Sequence, residues 1–117
     1  PVDLQEEENV QAQLTFQGCT VNVQTPAVIG LNVAARDNFS CTNVGVARSM
    51  CLWLRKNGID QGSSEVKYTV SGSVGSVART GKQMVRGSSS WKSCTQVHLG
   101  STCNESSHSS VSCSGSI

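Results

Sequence analysis

Four residues of types that bind zinc recur at intervals of five towards one end of the sequence: His98, Cys103, His108 and Cys113. Zinc sites usually take two of their ligands from a close pair such as Cys-x2-Cys, and this series contains no such pair. In an oxidising compartment Cys103 and Cys113 would instead form a disulfide. We therefore predict no metal site and no cofactor.

Nucleophilic catalysis would need a histidine base beside an activated nucleophile. The two histidines, His98 and His108, are not accompanied by a recognisable nucleophile motif such as Gly-x-Ser-x-Gly. A phosphate-binding loop is excluded because five residues separate Gly75 from Gly81 where four are required, and Gln83 stands where Ser or Thr would bind magnesium. The sequence predicts that the protein is not an enzyme.

Six cysteines in 117 residues are the clearest signal in the chain, and they are Cys19, Cys41, Cys51, Cys94, Cys103 and Cys113. An even number of cysteines in a short chain predicts a disulfide framework and an extracellular, secreted protein. Six cysteines allow fifteen pairings. Nearness along the predicted strands favours Cys19 with Cys41 and Cys103 with Cys113, which leaves Cys51 with Cys94 across the core. One difficulty is that strict alternation turns Cys94 away from the apolar face of its strand.

The rest of the composition agrees with a secreted protein. The sequence has no run of about 18 apolar residues, so we predict no membrane span. It begins at Pro1 without a signal peptide, and we expect a mature protein from which a secretory signal has been removed. Asn38 and Asn104 begin Asn-x-Ser sequons and would accept glycans in a cell with that machinery.

Charge is distributed unevenly along the chain. Residues 1–8 carry four of the eight acidic side chains, and we predict a flexible acidic arm there, followed by a single domain over residues 9–117. No acidic residue occurs between Val66 and Asn104. The basic residues there that could form a binding surface are Arg79, Lys82, Arg86 and Lys92. Because Trp91 is the one aromatic residue among them, we predict no nucleic-acid binding.

Apolar and polar residues alternate over residues 10–16, which predicts a strand with one buried face. The alternation changes phase at Gly18, and either a β-bulge or a tight hairpin turn would explain this. We favour the bulge, because Gln17 suits poorly the positive φ of a hairpin turn. Further along, Asp37 and Asn38 predict a turn, since both side chains can bond nearby backbone.

The second half of the sequence predicts further strands. Residues 44–55 end in a segment that is apolar on both faces, typical of a central strand. Asn57 and Gly58 form the strongest hairpin signal in the chain. Trp53 and Trp91 could stack on sugars, but each lies in an apolar strand pattern that favours a core position.

No segment shows helical periodicity over three turns, whereas short strands alternate with Gly, Asn and Ser turns. This pattern predicts an all-β fold, and we expect a disulfide-stabilised antiparallel β-sandwich of immunoglobulin-like architecture.

The leading functional hypothesis is a secreted structural or adhesive subunit that forms homo-oligomers by strand pairing through residues 10–16. The alternative is a monomeric extracellular recognition protein, such as a hydrolase inhibitor, lectin or effector. It would bind a protein or glycan through disulfide-braced loops at residues 57–64 or 79–90. A lesser alternative is a small β-pore-type toxin, suggested by the serine and glycine alternation of residues 69–78.

Overall fold

The computed structural model describes residues 12–16, 18–99 and 111–117, which form an all-β chain. The acidic arm at residues 1–8 lies outside these ranges. The strands are β1 (Ala12–Phe16), β2 (Cys19–Ile29), β3 (Asn32–Lys56), β4 (Ile59–Thr80), β5 (Met84–Val85), β6 (Trp91–Leu99) and β7 (Val111–Cys113). Among the described residues, no helix is long and apolar enough to cross a membrane.

β3 is the central strand of a seven-stranded antiparallel sheet. One edge of β3 pairs with β4 and β5. The other edge pairs with β2 over residues 32–41 and with β6 over residues 48–56. The register against β4 shifts repeatedly between Phe39 and Arg48, and such irregularities bend strands. β2 consequently contacts β6, and β1 contacts β7. The all-β, antiparallel prediction is confirmed, but the immunoglobulin-like sandwich is not, because the strands form one curled sheet, a half-barrel.

The predicted central strand is confirmed within β3. The side chains of residues 50–54 are all buried, although consecutive side chains point to opposite faces of the sheet. Met50, Leu52 and Leu54 face the inside of the curl. Cys51 and Trp53 face the opposite side, where Cys94 and β7 cover them. Both faces are therefore covered, which explains the continuous apolar run.

The predicted hairpin at Asn57 and Gly58 is also confirmed. Lys56 is the register partner of Ile59, so two residues make the turn. Both have positive φ, 50° for Asn57 and 83° for Gly58, as a type I′ turn requires. The turn joins the two longest strands of the protein.

Replacing Gly58 by alanine should lower the free energy of unfolding by about 1 kcal/mol, because a Cβ disfavours positive φ. No heavy atom outside the neighbouring residues lies within 4 Å of the added Cβ, so the cost is conformational rather than steric. Gly75→Ala is the matched control, since its Cβ also meets open space without positive φ. Urea unfolding of both variants tests this, and equal losses would contradict it.

Two predicted local features are wrong. Phe16 is the register partner of Cys19, so a two-residue hairpin joins β1 to β2, and Gly18 at φ 92° supplies the positive φ. The favoured bulge is therefore replaced by the hairpin alternative. Asp37 and Asn38 lie within β3 rather than in a turn, because the chain turns earlier, at residues 30–31.

The disulfides confirm one predicted pair and correct two. Cys19 bonds to Cys41 between directly opposed positions of β2 and β3. Cys94 bonds to Cys113 across β6 and β7, so the pairs Cys51 with Cys94 and Cys103 with Cys113 are wrong. Cys51 is also disulfide-bonded, and Cys103 lies outside the described residues. Alternation turned Cys94 away from the apolar face of its strand, and the structure explains this because Cys94 faces β7.

Candidate interaction surface

Three turns meet at one end of the half-barrel, which we call the turn end: residues 30–31, 57–58 and 87–88. The backbone N–H of Arg86 donates a hydrogen bond to the carbonyl of Leu31 at 2.9 Å. The N–H of Asn57 donates to the carbonyl of Ser90 at 2.8 Å, and the N–H of Ser90 donates to Asn57 Oδ1 at 2.9 Å. Hydrogen bonds therefore tie the third turn to both of the others.

The buried side chain of Trp91 holds the turn end in place. It is buried, as its apolar strand pattern predicts, among Val33, Leu52 and Leu54. Its indole Nε1 donates to the carbonyl of Arg86 at 2.9 Å. The Nζ of Lys56 lies 5.7 Å from the centroid of a Trp91 ring, within the range of a cation–π contact. One buried side chain thus positions groups from two neighbouring segments of the surface.

Exposed apolar side chains are concentrated at the turn end. Of the six large hydrophobic side chains exposed in the described part of the chain, five lie there: Val28, Ile29, Leu31, Ile59 and Val85. Leu31 is 85% exposed and Val85 is 73% exposed. The sixth, Tyr68, lies along β4 and packs against the Phe39 ring. Apolar side chains scattered singly are normal on a surface, whereas a cluster indicates a binding region.

Three of the four predicted binding cations lie at this end. Lys82 and Lys92 are exposed, and Arg86 is half-buried beside Leu31. The second predicted loop, residues 79–90, contains the short strand β5 and supplies part of this surface. Residues 59–64 of the first predicted loop belong to β4, so only its Asn57 and Gly58 form a turn.

The acidic residues in the described part of the chain do little to offset these cations. Asp60 accepts hydrogen bonds from Arg55 Nε at 2.7 Å and from Trp53 Nε1 at 2.8 Å, so a neighbouring cation neutralises it. Glu65 lies further along β4 and is half-buried. The turn end therefore presents apolar side chains surrounded by positive charge.

Arg79 is placed elsewhere, inside the half-barrel. Its Nε and Nη2 donate to the two carboxylate oxygens of Asp37 at 2.7 and 2.8 Å, and its Nη1 donates to the carbonyl of Met50 at 2.6 Å. The guanidinium also lies 4.9 Å from the Phe39 ring centroid. With 11% of its side chain exposed, Arg79 holds strands together rather than contributing to an outer surface.

Thr95 of β6 completes this buried group. Its Oγ1 lies 3.0 Å from Asp37 Oδ2 and 2.7 Å from the carbonyl of Cys51. A hydroxyl has one proton, so Thr95 donates to one of these oxygens at a time. The Asp37 side chain has no exposed area, and its charge is compensated by Arg79 and Thr95. The prediction of a turn at Asp37 is wrong because the alternation of buried and half-buried positions in β3 continues through this residue, from Ala35 to Phe39.

The remaining predicted sites are the zinc-like series and the two sequons. Within the described ranges no three His, Cys, Asp or Glu side chains are grouped as metal ligands would be. Cys113 of the zinc-like series bonds to Cys94, whereas Cys103 and His108 lie outside those ranges. Asn38 is half-buried in β3, and its Oδ1 accepts a hydrogen bond from Ser76 Oγ at 3.1 Å. Glycosylation of Asn38 stays a prediction, and Asn104 lies outside the described residues.

Comparison of the chain with known protein families, with characterised proteins and with solved structures found no match, so its function has to be argued from its own surface.

Proposed function

We propose that this protein is a secreted, non-enzymatic structural or adhesive subunit that self-associates by strand pairing along the outer edge of β4. The single observation that carries the proposal is the length of that edge. β4 has 22 residues and pairs with β3 on one side. Among the described strands, none other than β3 pairs with β4.

An unpaired strand edge presents backbone N–H and C=O groups that can pair with a second chain. β4 pairs regularly with β3 over residues 66–70 and 77–80. A regular ladder on one side spaces the outward backbone groups regularly on the other. Residues 77–80 are the segment of the edge that we propose to pair with another copy.

The composition of β4 favours the same conclusion. Natural edge strands are commonly protected by charged side chains and proline. Residues 69–78 contain neither, and most of their side chains are small. Protection comes from the exposed Lys67 and from the irregular register of residues 70–77 against β3, a stretch that includes Gly72 at φ 79°. The edge is therefore irregular over residues 70–77 and most open to pairing at residues 77–80.

The N-terminal strand was the predicted pairing element, and here β1 pairs with β2 of its own chain. Self-association through β4 does not need that strand to be released. Secretion is part of the proposal, since the described disulfides are compatible with an oxidising extracellular compartment.

The test is the native mass of the protein carrying Gly75→Lys and Ala78→Lys together. Both positions are exposed, and a Cβ at Gly75 meets no atom within 4 Å, so the fold should tolerate the change. Lysines on an edge strand oppose pairing because they repel one another and stay hydrated. Light scattering should give a multiple of the 12.3 kDa chain for the wild type and a single chain for this variant.

Ser88→Lys with Ser90→Lys is the matched control, because it adds the same charge at an exposed turn. This control should retain the wild-type mass. A wild type that stays at the mass of one chain at all concentrations contradicts the proposal. So does an oligomer that both double variants leave unchanged.

A further inference from the structure

We infer that the turn end docks on anionic lipid bilayers, with Leu31 and Val85 entering the boundary between headgroups and acyl chains. Lys82 and Arg86 would contact the headgroups. This inference is independent of self-association, because β4 pairing uses the strand edge and lipid docking uses the turns at one end.

Leu31 and Val85 are adjacent as well as exposed. The hydrogen bond from the N–H of Arg86 to the carbonyl of Leu31 places the residue after Val85 directly beside Leu31. Val85 is also the register partner of Asn32, the residue that follows Leu31. Two of the most exposed apolar side chains of the described residues therefore project from one place. Apolar side chains that enter the headgroup boundary gain free energy in proportion to the area they bury.

The charges around this apolar pair match an anionic surface. Arg86 adjoins Leu31 through the backbone hydrogen bond. Lys82 precedes Gln83, whose side-chain Oε1 accepts a hydrogen bond from Asn32 Nδ2 at 2.9 Å. Lys56 lies over Trp91, whose indole N–H donates to the carbonyl of Arg86. Lysine and arginine near an anionic membrane each favour binding, and no described acidic side chain is bonded to these three cations.

A lipid surface fits this end better than a protein partner does. Lysine is depleted in the centre of protein interfaces, whereas it is enriched in protein surfaces that contact anionic headgroups. The exposed apolar side chains also belong to three separate segments of the chain, at residues 28–31, at Ile59 and at Val85. The turns at this end are held by hydrogen bonds to one another and by buried Trp91, so little conformational entropy is lost on docking.

The test is co-sedimentation of the full chain with vesicles of phosphatidylcholine containing about one third phosphatidylserine. We expect binding at about 0.1 M salt, release at about 0.5 M salt, and no binding to phosphatidylcholine alone. Lys82→Gln with Arg86→Gln should weaken partitioning by about 30-fold. Leu31→Ser with Val85→Ser should weaken it by at least about tenfold, and near-ultraviolet circular dichroism should show that both variants are folded.

Conservative exchanges are the matched controls. Lys82→Arg with Arg86→Lys keeps the charge and should bind vesicles as the wild type does, because headgroup attraction does not depend on bidentate geometry. Leu31→Met with Val85→Ile keeps the apolar area and should also bind. Absence of binding by the wild type, equal binding to neutral vesicles, or unchanged binding by both disruptive variants would overturn the inference. If replacing Leu31 and Val85 by serine lowered the native mass, these side chains would contact another copy of the chain. That result would also overturn the inference of lipid docking.

Discussion

Replacing Asp37 by alanine should lower the free energy of unfolding by about 3–5 kcal/mol, the typical cost of removing one partner of a buried ion pair. Arg79 would keep its charge inside the half-barrel, where 11% of its side chain is exposed and its hydrogen bond to Met50 compensates only part of that charge. Small domains have about 5–15 kcal/mol in total, so much of the stability would be lost. Urea or thermal unfolding measures the change.

The double variant Asp37→Ala with Arg79→Met is the control for this result. It removes both charges and puts an apolar chain beside Phe39, which the arginine contacts in the wild type. Buried ion pairs can often be replaced by apolar groups with little loss. We therefore expect the double variant to regain most of the stability. A double variant as unstable as Asp37→Ala alone would show that the loss arises from packing rather than from an unpaired charge.

Replacing Trp91 by alanine should cost about 3–5 kcal/mol as well, because it opens a cavity where the side chain packs between both parts of β3. Val33 lies near one end of β3, and Leu52 and Leu54 lie near the other. The substitution also removes the hydrogen bond from the indole to the carbonyl of Arg86. Differential scanning calorimetry would show a large fall in melting temperature.

Trp91→Phe separates the two contributions of this side chain. Phenylalanine retains most of the apolar volume but has no indole N–H, so its cost should be about 1–2 kcal/mol. If Trp91→Phe were as damaging as Trp91→Ala, the hydrogen bond to Arg86 would outweigh the packing. If neither variant lost stability, the proposed support of the turn end by Trp91 would be wrong.

The sequence predicted features that depend on short-range chemistry. Asn57 and Gly58 form their turn because both tolerate positive φ, which is a property of the residues themselves. The apolar run that ends at Leu54 predicted a covered strand because few other environments accept apolar side chains on both faces. The pair Cys19 and Cys41 was found because their strands are neighbours along the chain.

Features that depend on long-range contacts were missed. Asp37 was assigned to a turn because its side chain can bond nearby backbone, whereas its partner Arg79 lies 42 residues away. Cys94 was paired with the wrong cysteine because nearness along the chain favoured Cys103 as the partner of Cys113, whereas Cys113 bonds to Cys94, 19 residues away. The turn end was recognised only in part, since Lys82, Arg86 and Lys92 were predicted as a binding surface but the exposed Leu31 and Val85 beside them were not.

The β3–β4 hairpin has a consequence for the order in which the protein folds. Its paired residues are close in sequence at Lys56 and Ile59 and become steadily more distant towards Arg36 and Thr80. Once one residue pair of the hairpin has formed, forming the next pair costs little further chain entropy. The hairpin can therefore form pair by pair from the turn outwards. Asp37 and Arg79 lie near the end of the hairpin that is most distant from the turn. We therefore expect this ion pair to close late in folding, so that removing it should speed unfolding more than it slows folding.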